Sequence, residues 1–113
     1  MNPNNQKDSS QSQRVDPYEE ILFRDYAEAE IAEMKSLMEN WDKATYTTLA
    51  NSIVDHADRH DFTGNYLKYL RKANNFNKKG ARKKTLPDGA LRWNKGNEFL
   101  IERNGKIVSY GEN

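Results

Sequence analysis

The sequence predicts an α+β protein in which helices occupy the first half and a small antiparallel sheet occupies the second. Apolar residues recur at helical spacing up to about residue 76, and from residue 91 onward they alternate with polar ones. Helices followed by strands are typical of α+β rather than doubly wound α/β folds. A chain of 113 residues has room for one compact domain.

The first part of the chain combines a polar tail with an acidic helix. Residues 1–15 offer too little apolar surface to offset the entropy cost of ordering, so we expect a disordered tail there. Asp16, Pro17 and Glu19 then supply an N-cap, a proline at the first helical position and an acidic first turn. The apolar spacing that follows predicts one acidic amphipathic helix within 16–42.

Two further helices precede the sheet, and together they form the α+β domain predicted over 45–113. Thr45 or Thr47 can cap the first of these helices, whose apolar stripe extends to Ala57. Asn65 can cap the second, which carries basic residues on its outer face.

Three or four strands are predicted near the C-terminus. Alternating polarity covers residues 91–94, 98–102 and 106–110. Asn104 and Gly105 separate the last two of these strands, and an Asn-Gly pair between alternating segments is the strongest short-range signal for a hairpin. The sheet is therefore predicted to be an antiparallel meander.

Charge is distributed unevenly along the chain. Residues 1–64 contain 6 Lys/Arg against 13 Asp/Glu, whereas residues 65–113 contain 12 against 4. Residues 65–84 alone hold eight basic side chains and no acidic one, interleaved with aromatic residues. Cations bind backbone phosphates and aromatic rings stack on unpaired bases, so this composition predicts a surface for RNA or another polyanion. A solvated helix face followed by a flexible loop would have the same composition.

Composition also argues against several classes of protein. The absence of cysteine removes disulfides and thiolate zinc sites, and it fits a protein of the reducing cytosol. The apolar runs are too short to span a bilayer, and the polar first residues do not form a secretory signal. Neither a glycine-rich phosphate loop nor a nucleophile elbow is present. We expect a soluble cytoplasmic protein that uses no cofactor and does not bind a membrane.

His56 and His60 are the only histidines, and they lie one helical turn apart. Imidazole titrates near neutrality and can move a proton at a phosphodiester, while Arg59 between them could stabilise the charge that develops there. The pair would serve a metal-free nuclease. Two alternatives are a pair of exposed helix residues without a role and a metal site, and the metal site would need further ligands that the spacing does not identify.

Three segments carry a resemblance to a known family. They are 53–62 (IVDHADRHDF), 89–94 (GALRWN) and 99–111 (FLIERNGKIVSYG), with a basic helix between the first and the second. The region 47–111 resembles the toxin domains of colicin D and of contact-dependent inhibition systems, which belong to the broad barnase, colicin and RelE-like group of ribonucleases.

This resemblance implies metal-independent cleavage of RNA, typically in a tRNA anticodon loop, by attack of a ribose 2′-hydroxyl on the adjacent phosphorus. It gives His56 or His60 the acid/base role, Ser109 the role of holding the phosphate and Tyr110 that of the neighbouring aromatic. It also implies an immunity or antitoxin protein as a partner. The sequence departs from the colicin D pattern at one point, because Asp55 and Asp58 flank His56, whereas that pattern places lysines just before its histidine.

The leading hypothesis is therefore an endoribonuclease toxin. A non-catalytic nucleic-acid-binding protein and a phage or mobile-element module for protein interactions are the alternatives. The residues expected to contact RNA are basic, with one aromatic: Arg59, Lys68, Arg71, Lys72, Lys78, Lys79, Arg82, Lys83, Lys84, Arg92 and Tyr110.

Overall fold

The computed structural model describes residues 16–112, and these residues fold into four helices followed by a four-stranded antiparallel sheet. The predicted α+β class is confirmed. The predicted tail, residues 1–15, lies outside the described residues. The elements are α1 (Pro17–Phe23), α2 (Glu28–Met38), α3 (Leu49–Arg59), α4 (Tyr66–Asn74), β1 (Arg82–Thr85), β2 (Leu91–Lys95), β3 (Glu98–Arg103) and β4 (Lys106–Glu112).

The single helix predicted within 16–42 is wrong, because two helices, α1 and α2, occupy that segment. The predicted start is right: the Asp16 carboxylate accepts a hydrogen bond from the Tyr18 backbone N–H at 2.9 Å. A second start follows, where the Glu30 carboxylate accepts from the Ala27 backbone N–H at 2.9 Å. A glutamate at the third helical position satisfies a backbone donor that would otherwise be left free, and this favours a new helix.

The break between α1 and α2 places Tyr26 against the start of α4. Its hydroxyl donates to the Gly64 carbonyl and accepts from the Leu67 backbone N–H, both at 3.2 Å. Tyr26 thereby caps α4, whereas the side chain of Asn65, at the predicted N-cap position, makes no cap hydrogen bond. For α3 the cap is Thr48, which accepts from a backbone N–H at 3.1 Å, rather than the predicted Thr45 or Thr47.

The strands pair in the order β1-β2-β3-β4 and every pair is antiparallel. The predicted hairpin between β3 and β4 is confirmed, with positive φ angles of 54° at Asn104 and 81° at Gly105, as a tight primed turn requires. The register of β3 against β4 shifts between Ile101 and Glu102, where Ile101 pairs with Ser109 and Glu102 pairs with Ile107.

The core lies between the helices and β4. Both α3 and α4 contact β4, while α1 packs on α3 and α2 packs on α4. Leu22 and Met34 from the two N-terminal helices are fully buried in the same cluster as Trp41, Tyr69 and Tyr110. The acidic helices and the sheet therefore share one core. Among the described residues, no helix is long and apolar enough to cross a lipid bilayer.

Candidate functional site

A cleft with a volume of about 380 Å³ lies between α3 and one face of the sheet. Five of the residues predicted from the sequence line it: His56, Arg59, His60, Arg92 and Ser109. His56 and Ser109 are 53 residues apart in sequence. The fold thus brings both histidines, two guanidinium groups and a hydroxyl to one surface.

His56 extends from α3 toward β4. Its Nδ1 atom lies 3.2 Å from the Ser109 hydroxyl oxygen, and Ser109 is itself buried in the strand. Burial lowers the pKa of His56 to about 4, and the positive charge of Arg59 acts in the same direction. The imidazole is therefore neutral at pH 7, so it can accept a proton, while Ser109 fixes the orientation of the ring.

His60 lies at the C-terminal end of α3, and its ring makes a T-shaped contact with the Phe99 ring at a centroid distance of 5.3 Å. Gly111 makes this approach possible, because a Cβ atom at that position would lie 2.7 Å from His60 Nδ1 and 2.5 Å from a Phe99 ring carbon. Burial lowers the pKa of His60, and the charges of Arg59 and Arg92 lower it further.

Asp55, one of the residues at which the sequence departs from the colicin D pattern, makes hydrogen bonds to Tyr46 and Arg59 rather than to the histidines. Its carboxylate accepts a hydrogen bond from the Tyr46 hydroxyl and one from Arg59 Nη2 at 2.7 Å, and Arg59 Nη2 lies 2.6 Å from the Tyr46 oxygen. These hydrogen bonds, that from Tyr46 first, lower the pKa of Asp55. Asp55 therefore fixes the Arg59 guanidinium at the cleft, and Tyr46 also packs on His56, with 5.4 Å between the ring centroids.

Arg92 projects from β2 into the cleft. Its guanidinium lies over the Phe99 ring at 4.0 Å from the centroid, and its Nε donates to Asn94 at 3.0 Å. Arg103 also lines the cleft but forms an ion pair with Asp88, so its charge is partly compensated. Arg92 is the cation that the sheet presents to a ligand in the cleft.

The predicted basic residues of α4 lie outside the cleft lining. Arg71 makes two hydrogen bonds of 2.7 Å to Glu33 of α2, and Lys72 lies 2.9 Å from Glu112. Lys68 is exposed on the same helix. Acidic side chains thus offset part of the basic face, which does not adjoin the candidate site.

Most of the basic residues after α4 also lie away from the cleft. Lys78 and Lys83 lie over the Trp93 ring, with Nζ at 5.4 Å and 5.6 Å from the centroid, and Lys78 Nζ is 2.5 Å from a Glu102 oxygen. Lys79 is exposed in the turn that precedes β1. The structure does not bring these three lysines to the histidines.

The predicted role of Tyr110 as an aromatic contact for RNA is wrong, because its side chain is 0% exposed. Its backbone carbonyl accepts from the Tyr69 hydroxyl at 2.7 Å, and its backbone N–H donates to the same oxygen at 3.1 Å. Residues alternate along β4, so Ser109 faces α3 while Tyr110 faces the core beside α4. The two remaining basic residues, Arg82 and Lys84, are exposed on β1.

Tyr46, Arg103 and Gly111 belong to the site but were not among the predicted site residues. Tyr46 lies in an irregular segment with no periodic pattern, and only the fold brings it to Asp55. The small size of Gly111 within a strand is a signal for close approach of another group, and it could have been noticed in the sequence.

The described residues offer few possible ligands for a metal ion at this site. Within residues 16–112 there is no group of three or more His, Cys, Asp or Glu side chains that could hold a metal ion. A metal site built on His56 and His60 would therefore lack a third protein ligand of these types in that part of the chain.

No family model matches the chain, and comparison with curated proteins and with solved structures finds no match. The resemblance to colicin D-type toxins therefore stays a prediction.

Proposed function

We propose that the protein is an endoribonuclease that works without a metal ion and cleaves RNA through attack of a ribose 2′-hydroxyl on the adjacent phosphorus. The observation that carries this proposal is the convergence of His56, His60, Arg59 and Arg92 in one open cleft. Acid/base groups and fixed cations are what such a reaction needs, because a proton leaves one oxygen, another oxygen gains one, and negative charge builds up on the phosphorane between them.

His56 is the general base. Its pKa of about 4 keeps it neutral over the physiological range, and Ser109 holds the ring from Nδ1. When Nδ1–H donates to Ser109, the other ring nitrogen carries the lone pair that accepts the 2′-hydroxyl proton. The bond from O2′ to phosphorus then forms while the bond to O5′ breaks.

His60 is the general acid. The departing O5′ needs a proton, and His60 lies one turn from His56 in the same cleft. Its pKa is lowered in the free protein, but a bound phosphate places negative charge beside the ring and favours the imidazolium form. Arg59 and Arg92 stabilise the phosphorane, and the products carry a 2′,3′-cyclic phosphate and a 5′-hydroxyl.

The resemblance described above adds two further proposals. It favours tRNA as the substrate, and it favours an immunity or antitoxin protein that binds the enzyme to silence it.

Cleavage of total tRNA by purified variants tests the proposal. We expect discrete fragments from the native protein in the presence of EDTA. Replacing His56 by Ala should lower the rate by a factor of roughly 10² to 10⁴ and leave RNA affinity nearly unchanged. The matched control is Lys106→Gln, which alters an exposed basic residue of the β3–β4 hairpin outside the cleft lining.

Two outcomes would contradict the proposal. Unchanged cleavage by the His56→Ala, His60→Ala double variant would assign the activity to other groups. Tight RNA binding by the native protein without any cleavage would instead support the non-catalytic nucleic-acid-binding protein.

A further inference from the structure

One face of the sheet carries a straight row of residues that begins at the candidate catalytic cleft. Ser109 of β4 lies opposite Ile101 of β3, Ile101 opposite Arg92 of β2, and Arg92 opposite Lys84 of β1. Neighbouring strands lie about 4.8 Å apart, so this cross-sheet row extends roughly 14 Å from Ser109 to Lys84.

The cross-sheet row faces the same side as the cleft. Ser109, Ile101 and Arg92 all line the cleft. Lys84 pairs directly with Arg92, and residues directly opposite each other in an antiparallel pair lie on the same face of the sheet. Lys83, the preceding residue, points to the other face, where its ammonium group lies 5.6 Å from the centre of the Trp93 ring.

The charges of the row are available to a ligand. Within residues 16–112, neither Lys84 nor Arg82, two positions earlier on the same face, has an Asp or Glu partner. Arg92 lies on Phe99, so one side of its guanidinium plane is covered and its direction is fixed. Among residues 16–112, no strand pairs with the outer edge of β1, so the Lys84 end of the row lies at an edge of the sheet.

We propose that the cross-sheet row is a binding track for one unpaired RNA strand, which runs from the scissile phosphate beside His56 to a phosphate held by Lys84. This inference rests on the proposed function. An unpaired strand has a wider phosphate spacing than the roughly 3.4 Å of axis per phosphate in a duplex strand, and a row of roughly 14 Å still extends beyond one phosphate. Only an unpaired strand can place a nucleotide in the cleft without first opening base pairs. The substrate class is therefore single-stranded RNA of several nucleotides.

Neighbouring lysines on opposite faces give a matched test. Lys84→Gln and Lys83→Gln remove the same charge from adjacent exposed positions of the same strand. Binding is measured with a single-stranded octanucleotide whose 2′-hydroxyls are replaced by hydrogen, so that it cannot be cleaved. Lys84→Gln should weaken this binding and reduce its salt slope by about 0.7, the amount expected for one phosphate contact to a single strand. Lys83→Gln should leave both quantities near the native values.

Cleavage provides the second measurement. The native protein should cleave a ribo-octanucleotide with higher kcat/KM than a dinucleotide. Lys84→Gln should reduce this preference for the octanucleotide more than Lys83→Gln does. Equal effects of the two substitutions on octanucleotide binding, or tighter binding of a duplex than of the single strand, would overturn the track. Failure of the proposed function gives a different result from failure of the track. His56→Ala would then cleave RNA like the native protein, while the difference in octanucleotide binding between Lys84→Gln and Lys83→Gln could still be measured.

Discussion

Acidification should destabilise the protein through His56. Its pKa falls from an ordinary value of 6.5 to about 4 in the folded state, because the ring is half-buried between α3 and β4. A group with a lowered folded pKa binds more protons in the unfolded chain, so stability is complete above pH 6.5 and is lost as the pH falls toward 4. The full shift corresponds to roughly 3 kcal/mol. Because the ring is partly exposed to the cleft, solvent screening lowers the expected contribution to about 1–2 kcal/mol.

The assay is urea unfolding of the native protein and of His56→Asn at pH 7.5 and pH 4. Fluorescence of the buried Trp41 reports the transition. Several carboxylates, including Asp55, also have lowered pKa values and lose stability on acidification, but both proteins share this loss. The difference in unfolding free energy between the two proteins therefore isolates His56.

We expect the native protein to lose about 1–2 kcal/mol more than His56→Asn between the two pH values. A His60→Asn variant is the matched control, because burial lowers the pKa of His60 as well but its side chain is less enclosed. Equal losses in the native protein and in His56→Asn would refute the burial of a neutral His56.

Three other substitutions test separate parts of the structure. Gly111→Ala places a methyl group 2.7 Å from His60 Nδ1, so we expect a loss of about 1–3 kcal/mol in thermal unfolding and reduced RNA cleavage; unaltered stability would contradict the close packing. Tyr46→Phe removes the hydroxyl that bonds Asp55 and Arg59. It should raise the activation free energy of RNA cleavage by more than it lowers the free energy of thermal unfolding. Arg71→Gln breaks an ion pair with Glu33 away from the cleft, so RNA affinity measured by filter binding should stay near native; a large loss would place RNA on α4.

Local patterns were sufficient to predict most of the fold. The Asn104-Gly105 turn needs positive φ angles that few other residue pairs adopt, so the hairpin follows from two residues. The apolar stripe of α3 is equally local, and Ile53 and Ala57 are fully buried as it requires. The break before α2 is local only in part: Glu30 bonds Ala27 three residues away, but Tyr26 makes its hydrogen bonds to groups 38 and 41 residues away, which no local pattern predicts.

The candidate site was predicted only in part, because the sequence does not show which face of the sheet each strand residue occupies. The histidines of α3 were predicted to be functional, and they lie together at the cleft. Both α3 and α4 contact β4, and five consecutive residues of that strand are buried, so alternation of polarity does not reveal that Tyr110 faces the core and Ser109 the cleft. The sequence around β1 does not distinguish one lysine from the next. Only the strand pairing shows that Lys84, opposite Arg92, and Lys83, opposite Trp93, lie on different faces of the sheet.

The most direct test of the proposed activity is analysis of the fragment ends from a short RNA and from the same RNA with hydrogen in place of the 2′-hydroxyl at the cleaved nucleotide. If His56 activates a 2′-hydroxyl, mass spectrometry of the products in EDTA should show a 2′,3′-cyclic phosphate, and the modified RNA should remain intact. Cleavage of the modified RNA, or fragments that end in a free 3′-hydroxyl, would contradict the account.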